Sequence, residues 1–197
     1  MPASPDPLTR WLGLDFTGPE RRYNPEIRDF LAELLGYPKN RVVTEERQGE
    51  GFPDIVLLTE KGDPWVVGDF KKDDSLLLDP AKAERLWAEK RKYVTGFTRY
   101  VLFLTPHRLQ VREPTGRILL ELDLTRETTA TLRQRLAFLT WERARHEALW
   151  GLLVEGKLPY GYLPLDEEGT RSLQKDLTAS FAELSQAAEK ALKGLEA

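Results

Sequence analysis

Gly51 to Asp74 read Gly-Phe-Pro-Asp-Ile-Val-Leu-Leu-Thr-Glu-Lys-Gly-Asp-Pro-Trp-Val-Val-Gly-Asp-Phe-Lys-Lys-Asp-Asp. Two apolar runs, Phe52 to Leu58 and Trp65 to Lys71, flank a short loop that contains Lys61-Gly62. Strands rich in Val, Ile and aromatics around a Gly-containing loop predict a β-hairpin. Each run also carries charge where a sheet strand does not need it: Asp54 in the first, Asp69 and Lys71 in the second.

The register follows from the turn. If the strands fold about Lys61-Gly62, Asp54 lies directly across from Asp69. Because side chains alternate faces along a strand, Lys71 then points the same way as Asp69. That face reads Phe52, Asp54, Val56 and Leu58 against Lys71, Asp69, Val67 and Trp65. A turn on Gly62-Asp63 shifts the pairing by two and keeps the faces, whereas a bulged three-residue loop would disturb them. Two carboxylates and an ammonium then converge at one end of an apolar face. Facing carboxylates repel and are held apart from their usual titration unless a cation sits between them. Two readings fit: charges at a solvated sheet end with a local Asp–Lys pair, or a site for a hard divalent cation with oxygen ligands.

Outward from the hairpin, Asn24 to Leu35 reads as a helix, with Asn24 as N-cap, Pro25 at the first position and Gly36 as the stop. Ile27, Phe30, Leu31, Leu34 and Leu35 form its core stripe. Glu26 in the first turn suits the helix dipole. Arg41 to Glu46 reads as a short strand, and Glu45, Glu46 and Glu50 lie close to Asp54 in sequence. A second helix starts at Pro80 and runs to about Thr95. Its Lys82, Arg85, Lys90, Arg91 and Lys92 suit either a solvated face or phosphate contact. Arg99 to Thr105 is a buried strand, and Arg108 to Arg112 and Arg117 to Leu122 form an edge hairpin.

The flanks are less informative. Residues 1–23 read as a Pro-rich arm anchored by Trp11, Leu12, Leu14 and Phe16, with Arg21 and Arg22 solvated. Residues 24–124 form the core, and 125–197 a helical extension, with helices expected over Arg126 to Leu139, Thr140 to Val154 and Leu173 to Leu195. A chain of 197 residues that is 41% hydrophobic can bury one good core. It has no cysteine, and His107 and His146 are too far apart in sequence for a zinc site. No apolar run is long enough to span a membrane, and the N-terminus lacks the features of a signal peptide, so a cytoplasmic location is expected. The net charge of −3 gives no global signal for nucleic acid.

Pro53-Asp54 followed by Asp69-Phe70-Lys71 resembles the signature of the PD-(D/E)XK, or restriction-endonuclease-like, nuclease superfamily. Glu26-Ile27-Arg28 and Leu34-Leu35-Gly36-Tyr37 loosely resemble the preceding helix of its restriction-type domains. Tyr93 at the end of a helix and Thr105 at the end of a strand fit the same outline. The similarity covers about residues 24 to 122 and is to the N-terminal nuclease domain of restriction-modification enzymes. One departure is that Glu89-Lys90-Arg91-Lys92-Tyr93 lacks the Gln that several of those families carry.

The resemblance implies an α/β fold, a mixed central sheet flanked by helices, and a Mg²⁺-dependent DNA endonuclease in which Mn²⁺ may substitute. Asp54 and Asp69 would ligate the metal, Lys71 would serve the attacking water or the transition state, and cleavage would leave 5′-phosphate and 3′-hydroxyl ends. The third acidic residue stays open between Glu26 and the Glu45–Glu50 loop, with Glu50 a candidate metal ligand. DNA is the expected partner, with a methyltransferase or specificity domain and a transient dimer on DNA as further expectations. The alternatives are an inactive DNA-binding or assembly module and a repair- or RNA-directed nuclease.

Overall fold

Along the third strand of the chain, alternate residues go to different hydrophobic cores, and this sorts the protein into layers. Val66 and Phe70 join one core, whereas Val67 joins another. In the computed structural model, residues 6–45, 47, 48 and 50–145 are described. They build a mixed six-stranded sheet with flanking helices, an α/β fold. The strands are β1 (Val42–Val43), β2 (Ile55–Leu58), β3 (Pro64–Phe70), β4 (Tyr100–Leu104), β5 (Arg108–Arg112) and β6 (Ile118–Asp123), in spatial order β1-β2-β3-β4-β5-β6. Only β3 and β4 pair in parallel; the other neighbours are antiparallel. A parallel pair needs a crossover, which α3 (Ser75–Leu78) and α4 (Pro80–Lys90) supply.

The smaller core lies between this crossover and the sheet: Leu77, Leu86 and Tyr93 pack against Val67, Val101 and Phe103. The larger core gathers Val66, Phe70, Leu102, Leu104 and Val111 with α1 (Pro7–Leu12), α2 (Asn24–Leu35) and α5 (Thr129–Arg135). This core takes in Leu8 and Trp11 as well as Leu132, Leu136 and Leu139, so it runs across residues 23 and 124 without a break.

The expected hairpin forms. Ile55 pairs with Gly68, Val56 with Val67 and Leu57 with Val66, the pairing implied by a fold about Lys61-Gly62. The pairing slips at Leu57/Leu58, where Leu58 meets Pro64, and Gly62 takes the left-handed φ of 94° that a side chain would resist. Two details differ from expectation. The first strand starts at Ile55, leaving Phe52 exposed. Trp65, next to the slip, packs edge-on against Tyr100 in the larger core instead of sharing a core with Val67.

The helix over Asn24 to Leu35 carries the predicted stripe, with Ile27, Phe30, Leu31, Leu34 and Leu35 buried, and Gly36 closes it at φ 75°. Asn24 is not an N-cap. A 3₁₀ turn, Glu20–Tyr23, runs directly into α2, so Asn24 already has helical dihedrals and the preceding turn supplies the chain entry. The N-terminal arm contains a capped helix, α1: Asp6 accepts hydrogen bonds from the backbone of Leu8 and Thr9, and Pro7 occupies the first turn.

β1 is shorter than Arg41 to Glu46. Arg126 to Leu139 is broken into two 3₁₀ turns flanking α5, which starts at a capping box on Thr128. A further helix, α6 (Trp141–Arg145), starts within the expected Thr140 to Val154. His146, the rest of that segment and the helix expected over Leu173 to Leu195 lie outside the described residues. Among the described residues, no helix is long and apolar enough to cross a membrane.

Candidate functional site

Lys71 is the centre of a charge cluster at the C-terminal end of β3. Its Nζ lies 3.0 Å from Asp69 Oδ2, 3.0 Å from Glu20 Oε2 and 3.8 Å from Asp54 Oδ2, and donates to the Phe70 carbonyl at 3.0 Å. Asp54 Oδ2 accepts the backbone N–H of Phe70 at 3.2 Å. The three residues singled out in the hairpin are thus brought together. The parallel β3–β4 pairing carries Lys71 past the strand end, where its N–H donates to Leu104 O at 2.9 Å.

The environment decides how these groups titrate. Asp69 is 2% exposed, and its Oδ2 forms ion pairs at 3.0 Å with the ammoniums of both Lys71 and Lys90. Burial, then the charge of Asp69 and a hydrogen bond shared with it, pushes Asp54 up to about 7, against the weaker pull of Lys71 and the Phe70 N–H. Burial alone would lower Lys71, but Asp69, Glu20 and Asp54 outweigh it and hold the ammonium above its ordinary value.

Glu20 was invisible as a site residue in the sequence. It opens the 3₁₀ turn before α2, and its carboxylate reaches Lys71 Nζ and the backbone N–H of Lys72. An aromatic cluster holds it there. Trp11 stacks on Phe30 with centroids 4.9 Å apart, and Phe16 and Tyr23 meet Phe70, the residue between Asp69 and Lys71. Trp11 Nε1 donates to Pro106 O at 2.9 Å. Tyr23 OH donates to Asp15 O and accepts the Gly18 N–H, and Lys72 Nζ donates to Gly18 O. The segment that reads as an arm therefore fixes a carboxylate of the cluster.

Lys90 was also misjudged. It sits in a run that suits a solvated basic face, yet its side chain is 11% exposed, with Nζ 3.0 Å from Asp69 Oδ2, 2.9 Å from Glu89 Oε1 and 3.4 Å from Tyr93 OH. Lys90 follows Ala83 and Leu86 on the buried stripe of α4, whereas Arg85, Arg91 and Lys92 stay exposed. Burial opposes its charge, but Glu89 and Asp69 prevail and raise it well above the usual lysine range.

The other acidic candidates stand elsewhere. Glu26 lines a cavity of about 180 Å³ with Pro7, Arg10, Trp11 and Asp29, and its Oε2 is buried without a hydrogen-bond partner. It faces α1 because it sits two turns of chain beyond Glu20, on the α2 side that packs on that helix. Glu50 is exposed on a loop whose backbone is tied to Lys92 O. Glu45 pairs with Arg21 at 3.0 Å, and Glu46 lies outside the described residues. On the segment after Lys71, Asp74 Oδ2 lies 2.7 Å from His107 Nδ1 and Asp74 Oδ1 accepts the His107 N–H, a pairing the sequence did not signal.

Among the described residues, no three carboxylate or histidine groups are already gathered as metal ligands. The oxygens around Lys71 instead surround its own ammonium. Glu20, Asp54, Asp69 and the Phe70 carbonyl form an all-oxygen cation cradle, the donor chemistry that a hard divalent ion prefers.

No protein-family model matches the chain, and no curated protein matches it. One solved structure, titled "cryoEM structure DrdV-DNA complex", is similar over 67% of this chain at 12% identity and a TM-score of 0.46. The similarity spans 13% of that chain.

Proposed function

We propose that this protein is a restriction-endonuclease-like nuclease that hydrolyses DNA phosphodiesters with a divalent metal, Mg²⁺ or Mn²⁺. The observation that carries this reading is the convergence of Asp54, Asp69 and Lys71 at one strand end, with an all-oxygen cradle around a cation. Asp54 and Asp69 would hold the ion, with the buried Asp69 carboxylate at the middle of the cluster. When bound, the ion supplies positive charge that polarises a phosphate and makes a water easier to deprotonate.

The chain's own residues do the rest. Asp54, whose carboxyl is pushed up to about 7 by burial and Asp69, would have to be deprotonated to serve as a ligand. Lys71 would stabilise negative charge building on the phosphate or position the water. Glu20 keeps the lysine aimed by its 3.0 Å contact, the place this reading gives to the third acidic residue. The exposed Arg85, Arg91 and Lys92 on and after α4 offer phosphate contacts beside the cluster.

A second reading rests on the ion pairs themselves. Lys71 and Lys90 already neutralise Asp69, so the cluster is also compatible with a DNA-binding or assembly module that cuts nothing. Supercoiled plasmid incubated with Mg²⁺, Mn²⁺ or EDTA separates the two. The nuclease reading expects nicking with either ion and none with EDTA; no nicking with any metal favours the module.

A further inference from the structure

We infer that Lys90 takes the place of a second metal ion, so that the cluster binds one divalent cation per chain and not two. The inference rests on the metal-site reading above and deepens it.

In a two-metal phosphodiester site, two ions about 3.5–4 Å apart clamp the attacking and leaving oxygens, and a carboxylate between them must serve both. Asp69 is the buried carboxylate here, and its Oδ2 touches two ammoniums at 3.0 Å. The two lysines are held differently. Lys71 lies beyond the end of β3, is 22% exposed, and contacts the cradle oxygens that an ion would take. Lys90 approaches Asp69 from α4, is half as exposed, and is also held by Glu89 Oε1 and Tyr93 OH. An ion entering between Asp54 and Asp69 displaces Lys71. Lys90 stays on its side of Asp69, where a second ion would have to sit within ammonium contact distance and be repelled.

Charge points the same way. Glu20, Asp54, Asp69 and Glu89 bring four negative charges when all are ionised, and Lys71 and Lys90 bring two positive ones. The remainder of two is what a single divalent ion neutralises.

Mn²⁺ titrated calorimetrically into the full chain without DNA tests this, with the ions of the cluster defined as those lost in Asp69→Asn. The expected result is one such ion in the wild type and in Lys90→Arg, and a second, weaker one in Lys90→Gln. Two Asp69-dependent ions in the wild type would overturn the role of Lys90 and leave the metal site standing, as would a count in Lys90→Gln that stays at one. If Lys90→Gln does not fold, as judged by circular dichroism, the wild-type count decides. No Asp69-dependent ion in any form would overturn the metal reading itself, and this inference with it.

Discussion

Glu20 and Lys71 lie 51 positions apart in the chain and meet at 3.0 Å. The contact joins the turn before α2 to the end of β3 and ties the N-terminal segment to the cluster. Glu20→Gln keeps the shape and removes the charge. It is expected to slow Mg²⁺-dependent plasmid nicking by roughly 10- to 100-fold, the range for an outer residue that orients a site group. The thermal midpoint should change little, because a half-exposed ion pair is worth at most about 1 kcal/mol.

The aromatic cluster makes a prediction about stability. Trp11 is 1% exposed and packs on Phe16, Phe30 and Phe70 while its indole N–H is bonded to Pro106 O. Trp11→Ala is expected to cost about 3–5 kcal/mol, the usual range for deleting a buried aromatic, read by urea unfolding. Trp11→Phe keeps the ring stack but leaves the Pro106 carbonyl without its donor, and should cost less.

Asp54 predicts a pH dependence. Burial and the charge of Asp69 push its carboxyl up to about 7 in the folded protein, from an ordinary value of 3.8. Between those values the folded state binds more protons than the unfolded one, so this group's contribution is fully present below about pH 4 and is lost as pH rises through 7. In EDTA, the thermal midpoint of Asp54→Asn should therefore fall less than that of the wild type between pH 5 and 8. Parallel curves for the two proteins would contradict the shared burial of Asp54 and Asp69.

A bound ion should act in the opposite sense. Because the ion binds the ionised pair, added Mn²⁺ should raise the thermal midpoint of the wild type more at pH 8 than at pH 6. Asp69→Asn should show almost none of that rise. Scanning fluorimetry at both pH values checks the difference.

Much of the fold was legible because it depends on local pattern. The turn at Lys61-Gly62 set the hairpin register, and the stripe from Ile27 to Leu35 set α2. Asp54, Asp69 and Lys71 could be brought together on paper because a register is an arithmetic relation between neighbours. Glu20 could not, since nothing in a Pro19-led turn signals contact with a strand fifty residues on. Lys90 was hidden for another reason. It is one lysine in a basic run, and its charge masked the fact that it continues the buried α4 stripe of Ala83 and Leu86 at i, i+3, i+7. Glu26 was a candidate from the first turn of α2, but its side of that helix is the one that packs on α1.

The most direct measurement is the rate at which Mg²⁺ converts supercoiled plasmid to the nicked form for the wild type, Asp69→Asn and Lys71→Ala, side by side. The expected result is metal-dependent nicking by the wild type and a loss of roughly 10²- to 10³-fold or more in each variant, the size seen when one electrostatic contact to a transition state is removed. Nicking by Lys71→Ala or Asp69→Asn at the wild-type rate would contradict the assignment of catalysis to this cluster.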